Sequence, residues 1–288
     1  MSDVEGDVDE PKAKAPPVER NPSSHAEGGL ESRTSVRRLV QDIKEVTLDH
    51  SLRDHGIYYE HNMDNYMEGH AMVIGPRDTP YEDSFYFFRF AFPANYPYTP
   101  PKVHLLNRTQ DRVRLNPNLY VDGKVCLSIL NTWQGEPWSA CQTIRSVLLT
   151  LVTVLNEKPL MNEPGIPDSH REHGVYNYVV QYASLHDCLL LPMERLRYGE
   201  PLAHEALFSS TMDARFQRAC ERIGARLALL AGEEPAHETA QLTPETRQHT
   251  RARDAVVKRV RLYDITAYVR WGETARLFAR AREKAGAR

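Results

Sequence analysis

The sequence predicts an α+β fold, in which one helix is followed by an antiparallel sheet and then by further helices. Three observations lead to this prediction. Apolar residues recur at helical spacing from Val36 onward, four short runs rich in β-branched and aromatic residues follow, and a second helical stripe begins near Ser139. The chain has 288 residues, of which 41% are hydrophobic and 26% charged. A single core rarely exceeds about 250 residues, so this length suits one domain with attachments.

The first predicted helix follows Thr34 and Ser35, which are suitable N-cap residues. Its apolar residues recur every three or four positions, which is the spacing of one helix face. They are Val36, Leu39, Val40, Ile43 and Val46, and the opposite face carries Arg37, Arg38 and Lys44. The sequence therefore predicts an amphipathic helix.

Four strands are predicted after this helix, at residues 57–61, 66–74, 84–92 and 102–106. Turn sequences rich in Gly, Pro and Asn separate them, at residues 75–78 and 95–97, so we expect an antiparallel meander. Irregular chain follows from residue 107 to 138, and a loop that long in a compact domain is usually functional or disordered. A strong helix is then predicted at residues 139–156.

The first 32 residues differ in composition from the rest. Residues 1–32 hold eight acidic and three basic residues, a net charge of −5, with few aliphatic side chains to offset the entropy of ordering. We predict a disordered acidic tail here. The main domain is assigned to residues 33–200, and a helical, Arg-rich extension to residues 201–288.

The extension ends in a strongly basic segment. Residues 247–288 hold twelve basic and four acidic residues, a net charge of +8. Apolar residues in this part of the chain recur at helical spacing and predict a last helix at residues 244–287. They are Val256, Val257, Val260, Tyr263 and Ala267. The basic stripe would bind nucleic acid or an acidic protein, or it is a solvated helix face, and these alternatives stay open.

Composition excludes several classes of protein. The longest apolar-plus-Thr run, at residues 147–155, is about half the roughly 20 residues of a membrane helix, and the acidic N-terminus lacks the apolar core of a secretory signal. Four cysteines without a C-x-x-C pair suit neither a disulfide framework nor a zinc ribbon. We therefore predict no metal site and a reducing compartment, the cytoplasm or the nucleus.

The most informative residues lie in the long loop. Residues 115–130 read L-N-P-N-L-Y-V-D-G-K-V-C-L-S-I-L, which places Asn118 eight residues before Cys126. Upstream, residues 75–82 read G-P-R-D-T-P-Y-E, and residues 96–103 read Y-P-Y-T-P-P-K-V. These three ordered motifs resemble those of the ubiquitin-conjugating enzymes.

The resemblance covers about residues 34–200 and implies the family's fold: an N-terminal helix, a four-stranded antiparallel meander, an active-site loop and C-terminal helices. Residues 127–139 read L-S-I-L-N-T-W-Q-G-E-P-W-S and carry an insert that small conjugating enzymes lack. This form is similar to a larger branch of the family. Asn116 replaces the family's His, which braces the loop, so the substitution questions loop architecture rather than chemistry.

The resemblance implies that Cys126 accepts ubiquitin, or a ubiquitin-like modifier, as a thioester. The residues agree, because Asp122 and Gly123 suit a turn that presents a thiol, and the thiolate is the reactive form. The alternative is a buried structural cysteine on the apolar side of a helix. We assign that alternative to Cys141, Cys188 and Cys220.

Three further residues have implied roles in transfer. Asn118 would stabilise the oxyanion formed when a lysine attacks the thioester, or hold the loop, and the alternative is an Asn that satisfies turn backbone. Tyr120 would pack beside the attacking lysine. Glu163 would orient and desolvate that lysine and lower its pKa, and the alternative is a solvated loop carboxylate.

The resemblance also implies two docking surfaces. The activating enzyme would contact Arg37, Arg38 and Lys44 of the first helix. A ligase would meet two loops, at Pro100, Pro101, Trp138 and Ser139. Trp133 and Trp138 are interpreted as packing anchors of the insert.

The leading hypothesis is an active ubiquitin-conjugating enzyme that passes its modifier to a substrate lysine or to a ligase. We predict no cofactor, because the activating enzyme uses the ATP and this chain has no nucleotide-binding motif. The rival hypotheses are a non-catalytic ubiquitin-binding protein of the same fold and an adaptor tethered to nucleic acid through residues 247–288. The presence of both Cys126 and Asn118 favours the enzyme.

Overall fold

The computed structural model describes residues 33–232 and 255–285, so the predicted acidic tail and residues 233–254 lie outside the described residues. The described chain begins with helices α1 (Arg33–Leu48) and α2 (Ser51–Asp54). Four strands follow, β1 (Ile57–His61), β2 (Glu68–Ile74), β3 (Phe85–Ala91) and β4 (Lys102–Leu105). They form one antiparallel sheet in the order β1-β2-β3-β4, which confirms the predicted meander.

Helices make up most of the described residues that follow the long irregular segment. They are α3 (Ile144–Val154), α4 (His173–Ala183), α5 (Leu191–Tyr198), α6 (Ala203–Ala206) and α7 (Ser209–Gly232), with a π-helical stretch, Ser184–Leu190, joining α4 to α5. The α+β prediction and the helical start of the extension are therefore confirmed. Within residues 33–232 and 255–285, no helix is both long and apolar enough to cross a membrane.

Both faces of the sheet are buried. Alternate side chains of β3 enter two different cores: Tyr86 and Phe88 pack toward α1, α3 and α4, whereas Phe85 and Phe87 pack toward the later helices. An antiparallel sheet with one solvated face would show alternating polar residues. Here β3 reads F-Y-F-F-R-F-A, because the extension covers the second face.

Helix α7 is tied to the turn between β2 and β3 by two arginines. Arg222 donates to both carboxylate oxygens of Asp83, at 3.0 and 2.6 Å, and Arg226 donates to the backbone oxygen of Glu82 at 3.1 Å. The same turn needs glycine at position 75, because a Cβ there would lie 1.8 Å from the backbone oxygen of Tyr81. The extension is thus packed on the main domain rather than separate from it.

Within the described residues 255–285, the last predicted helix is correct only from Trp271 onward. Residues Val256–Val260 (β5) and Ile265–Val269 (β6) pair as an antiparallel hairpin around a 3-10 turn at Arg261–Tyr263, and α8 (Trp271–Ala285) follows. The sequence of β6 has the two-residue period of a strand, since alternate residues are buried. The helical prediction for residues 256–269 was therefore wrong.

Helix α1 is amphipathic, but its buried face is rotated from the predicted one. Leu39 and Val46 are buried as predicted, whereas Val36 is 44% and Val40 is 48% exposed. The polar residues Ser35 and Asp42 are also buried, because they lie on the same helix face as Leu39 and Val46.

Arg38 also departs from its predicted place on a solvated helix face. Its guanidinium donates to Asp42 Oδ1 at 2.9 Å and to the backbone oxygens of Ala140 and Gln142, at 2.6 and 2.5 Å. The Tyr96 hydroxyl donates to the other oxygen of the Asp42 carboxylate. Arg38 therefore joins α1 to the chain that precedes α3, while Arg37 and Lys44 remain exposed.

The hairpin turn docks on the start of α4 through Glu172, which is 8% exposed. One carboxylate oxygen accepts from the backbone N–H of Arg261 at 3.1 Å, and the other accepts from Leu262 at 3.0 Å. Burial opposes the charged form, but these two N–H groups, together with His170 and Arg171 nearby, outweigh it and lower the pKa of Glu172 below its usual 4.5.

We expect the docking of this hairpin to depend on pH. A lowered pKa in the folded state means that the stabilisation is complete above the unfolded value and is lost as pH falls through the folded one. Amide protection factors of Arg261 and Leu262, corrected for intrinsic exchange, should therefore hold at neutral pH and fall in acid. Glu172→Gln should lower the protection at neutral pH and remove its acid dependence. Equal protection in both proteins at every pH would contradict this assignment.

Candidate active site

Asn118 and Cys126 are joined by two hydrogen bonds. The backbone N–H of Cys126 donates to the backbone oxygen of Asn118 at 2.9 Å, and Asn118 Nδ2 donates to the backbone oxygen of Cys126 at 2.7 Å. The spacing of eight residues thus closes a loop in which the two residues lie side by side. Asn118 Oδ1 is buried and accepts no hydrogen bond from the residues that the structure describes.

A tight turn within this loop leads the chain back to Cys126. Asp122 Oδ1 accepts from the backbone N–H of Lys124 at 3.0 Å, and the Gly123 N–H donates to the backbone oxygen of Tyr120 at 2.9 Å. Gly123 has φ +95°, and a Cβ there would lie 2.3 Å from Nε2 of His104. Both the conformation and the space require glycine, which confirms the predicted turn.

Asn116 is fully buried beneath the loop that carries Asn118 and Cys126 and supports it through hydrogen bonds. Its Nδ2 donates to the Tyr81 hydroxyl at 2.8 Å and to the backbone oxygen of Val154 at 2.7 Å. Its Oδ1 accepts from the Asn118 backbone N–H at 2.9 Å and from Asn162 Nδ2 at 3.3 Å. The Asn that replaces the family's His is therefore itself a brace, which answers the question about loop architecture.

We expect Asn116→Ala to lower the free energy of unfolding by about 3 kcal/mol, because it leaves several buried donors and acceptors without partners. Urea unfolding followed by circular dichroism measures this change. The control is Asn95→Ala, since Asn95 makes one exposed side-chain bond, to Thr99, and should cost under about 1 kcal/mol. Equal losses in the two variants would show that Asn116 does not support the loop.

The thiol of Cys126 is nearly closed off in this conformation, because 1% of the residue is exposed. Cys188 is buried in the core, as predicted, and burial raises the pKa of its thiol. Cys141 is exposed and lies before α3, so its predicted burial on a helix was wrong. Cys220 is half-buried. Cys126 is distinguished by its loop rather than by its accessibility.

The insert after Cys126 projects from the surface, and its residues 131–137 are exposed. Trp138 is 7% exposed and donates from Nε1 to the backbone oxygen of Pro97 at 2.6 Å, so it is a packing anchor as predicted. Trp133 is 39% exposed and is not an anchor. Thr132 ties the insert to the Cys126 segment, since its hydroxyl accepts from the Leu127 N–H at 2.9 Å.

Tyr120 and Glu163 each contact a residue that was not predicted to belong to this site, Arg114 and Tyr263 respectively. The Arg114 guanidinium is 3.8 Å from the centre of the Tyr120 ring and 4.6 Å from that of Tyr263. The Tyr263 hydroxyl donates to Glu163 Oε2 at 2.7 Å. Glu163 is thus half-buried and hydrogen-bonded, not a freely solvated carboxylate.

Residues 38–174 match the family model described as ubiquitin-conjugating enzyme. These residues have the ubiquitin-conjugating fold. Their helix and four-stranded antiparallel sheet are the fold that the resemblance implied, and α7, the hairpin and α8 are added outside the match.

Several curated proteins are similar to the conjugating domain. Ubiquitin-conjugating enzyme E2 Z of Danio rerio is 41% identical over 140 residues, which are 49% of this chain and 42% of the relative. The Homo sapiens protein of the same name is 47% identical over 109 residues, 38% of this chain and 31% of the relative. A probable ubiquitin-conjugating enzyme protein 17 of Caenorhabditis elegans is 39% identical over 125 residues, 40% and 17%. The chain therefore spans less than half the length of these relatives.

The residues predicted to meet a ligase differ in exposure. Ser139 is exposed and Pro100 is partly exposed, whereas Pro101 and Trp138 are buried. The side chains of the last two therefore shape the conjugating domain and do not form its surface. Tyr98, which the prediction missed, is 68% exposed on the same loop as Pro100.

Sequence reasoning missed four residues that support the conjugating site: Tyr81, Arg114, Asn162 and Tyr263. Tyr81 belongs to a recognised motif, so its presence in the 75–82 segment was a usable signal. Each of the other three has a supporting partner that is distant in sequence: Tyr263 for Arg114, Asn116 for Asn162 and Glu163 for Tyr263. In the described part of the chain, no group of three or more His, Cys, Asp or Glu residues is arranged for a metal ion.

Proposed function

We propose that this protein is an active ubiquitin-conjugating enzyme. The Cys126 thiolate attacks the thioester that links ubiquitin, or a ubiquitin-like modifier, to an activating enzyme. A new carbon–sulfur bond forms, and the thiolate of the activating enzyme leaves. ATP is consumed by that enzyme. The observation that carries this proposal is the closed loop in which Asn118 and Cys126 bond to each other inside a ubiquitin-conjugating domain.

Transfer to lysine uses the residues around this loop. The neutral lysine amine attacks the Cys126 thioester, an oxyanion forms, and the Cys126 thiolate leaves as the isopeptide bond is made. The proton that the amine nitrogen loses passes to solvent water. The amide of Asn118 stabilises the oxyanion or the loop that presents the thioester. Tyr120 packs beside the lysine, and Glu163 orients it. Transfer to a ligase cysteine needs only the thioester itself.

Two surfaces are proposed for protein partners. Arg37 and Lys44, two exposed basic residues of α1, contact the activating enzyme, and Arg38 contributes by fixing α1 to the chain before α3. A ligase contacts Pro100 and Ser139, together with the exposed ring of Tyr98.

We place the enzyme in the larger branch of the family, because its insert, N-P-N motif and C-terminal extension occur together and several relatives are named E2 Z. We expect it in the cytoplasm or the nucleus. Binding of nucleic acid through residues 247–288 has less support, since Arg280 and Lys258 of that segment already have partners in Glu194 and the Tyr178 ring.

A charging assay tests the proposal. The full chain is incubated with ATP, a panel of activating enzymes, and ubiquitin or ubiquitin-like modifiers. We expect one combination to give an adduct that a reducing agent removes. If no pair charges the protein, the rival hypothesis of a non-catalytic ubiquitin-binding protein replaces this one.

A further inference from the structure

We propose that Tyr263, from the C-terminal hairpin, is a positioning residue for lysine transfer that acts through the Glu163 carboxylate. The inference rests on the proposed function and extends the active site to a segment 100 residues away in sequence from Glu163. The family match ends at residue 174, so this residue lies outside the matched domain.

The contact between the two side chains is direct. The Tyr263 hydroxyl donates to Glu163 Oε2 at 2.7 Å, and within the described ranges no other side chain or backbone group donates to this carboxylate. Burial and the bond to Glu163 together raise the pKa of Tyr263 well above its usual range, so the phenol stays protonated and remains a donor. One carboxylate oxygen is thus fixed, and the other is left for an incoming ammonium or amine.

Tyr263 is itself held firmly. The two residues before it are bound through their backbone N–H groups to Glu172, and Asp264 ends the turn with φ 51°. The Tyr263 ring contacts the Tyr176 ring, with centroids 5.5 Å apart. The turn is therefore fixed by several contacts to the main domain, which is what a positioning role requires.

Arg114 connects this turn to the loop that carries Cys126. Its guanidinium contacts both the Tyr263 ring and the Tyr120 ring, at 4.6 and 3.8 Å from the ring centres. Tyr120 lies two residues beyond Asn118 in the active-site loop. The turn of the extension therefore contacts Glu163 directly and is joined to Tyr120 through Arg114, and these are the two residues that are proposed to guide the lysine.

The chemical consequence concerns orientation. A half-buried carboxylate with one fixed oxygen presents the other in a constant direction, so less entropy is lost when a lysine is aligned for attack. Without the Tyr263 hydroxyl the Glu163 side chain is still present at the site, so the lysine can still bind there while its alignment is lost. Tyr263→Phe removes only the hydroxyl and retains the ring contacts.

The test is single-turnover discharge of the charged full-length protein to free lysine. We expect Tyr263→Phe to lower the maximal rate about 10-fold, as loss of one charge-assisted hydrogen bond predicts, with the half-saturating lysine concentration changed less than about twofold. The rate of charging should be unchanged. The matched control is Tyr268→Phe, which removes a hydroxyl from the same hairpin away from Glu163.

A second variant separates positioning from a purely structural effect. If Tyr263 acts through Glu163, adding Tyr263→Phe to Glu163→Gln should cause no further loss of discharge rate. Additive losses, or a rate for Tyr263→Phe equal to that of the wild type, would overturn the inference while leaving the enzyme assignment intact. Failure of the wild type to charge would overturn both.

Discussion

Cys126→Ser is expected to convert the ubiquitin adduct from one that a reducing agent removes into one that resists it. The serine hydroxyl replaces the attacking thiolate, so a slowly formed oxygen ester takes the place of the thioester. Cys126→Ala removes the nucleophile and should lower adduct formation to background. Gel shifts with and without reductant measure both outcomes.

The matched control is Cys141→Ser, because Cys141 is the exposed cysteine of the described chain and Cys126 is nearly closed off. If accessibility alone selected the thiol, the control would lose the adduct. We expect it to charge at the wild-type rate. Persistence of a reductant-sensitive adduct in Cys126→Ala would refute the assignment of Cys126.

Local periodicity was sufficient to predict the helix and sheet of the main domain. The strands could be found because β-branched and aromatic runs alternate with Gly and Pro turns. The hairpin at residues 256–269 was missed because Val256, Val257 and Val260 fit a helical period as well as a short strand. The two-residue period of Ile265–Val269 was the signal that decides between them, and only pairing with β5 makes it a strand.

The supports of the active site could not be predicted in the same way. Asn116 bonds to Tyr81, Val154 and Asn162, which come from a turn, a helix end and a 3-10 turn far apart in the chain. Such contacts depend on how the elements pack, and no local pattern encodes them. The motifs predicted that Asn118 and Cys126 belong to one site, because the eight-residue spacing between them forms a loop that brings the two residues together.

The packing of the extension on the sheet has a consequence for the site. Helix α7 binds the turn that contains Tyr81, and the hairpin binds Glu163 and Glu172, so the extension contacts the main domain at both segments. Tyr81 in turn donates its hydroxyl to the backbone oxygen of Leu115 at 2.8 Å, at the start of the active-site loop. The extension is thus part of the machinery that fixes this loop.

Asn118→Ala is expected to slow discharge to free lysine by about 10²–10³-fold, the loss seen when an oxyanion donor is removed. The structure gives this residue a second role, since Nδ2 already donates to the backbone oxygen of Cys126. An amide nitrogen carries two hydrogens, so one can hold the loop while the other meets the oxyanion. The measurement is the discharge rate of the purified thioester, taken beside the charging rate and the free energy of unfolding.

The two roles predict different patterns in these measurements. Loss of an oxyanion donor slows discharge to lysine and leaves charging and unfolding nearly unchanged, whereas loss of a loop bond slows both reactions and lowers the free energy of unfolding by about 1 kcal/mol. Asn116→Ala serves as the control for a purely structural loss. We expect Asn118→Ala to slow discharge far more than Asn116→Ala while destabilising the protein less. The reverse order would make Asn118 a structural residue, and the chemistry would then rest on Cys126 and its thioester alone.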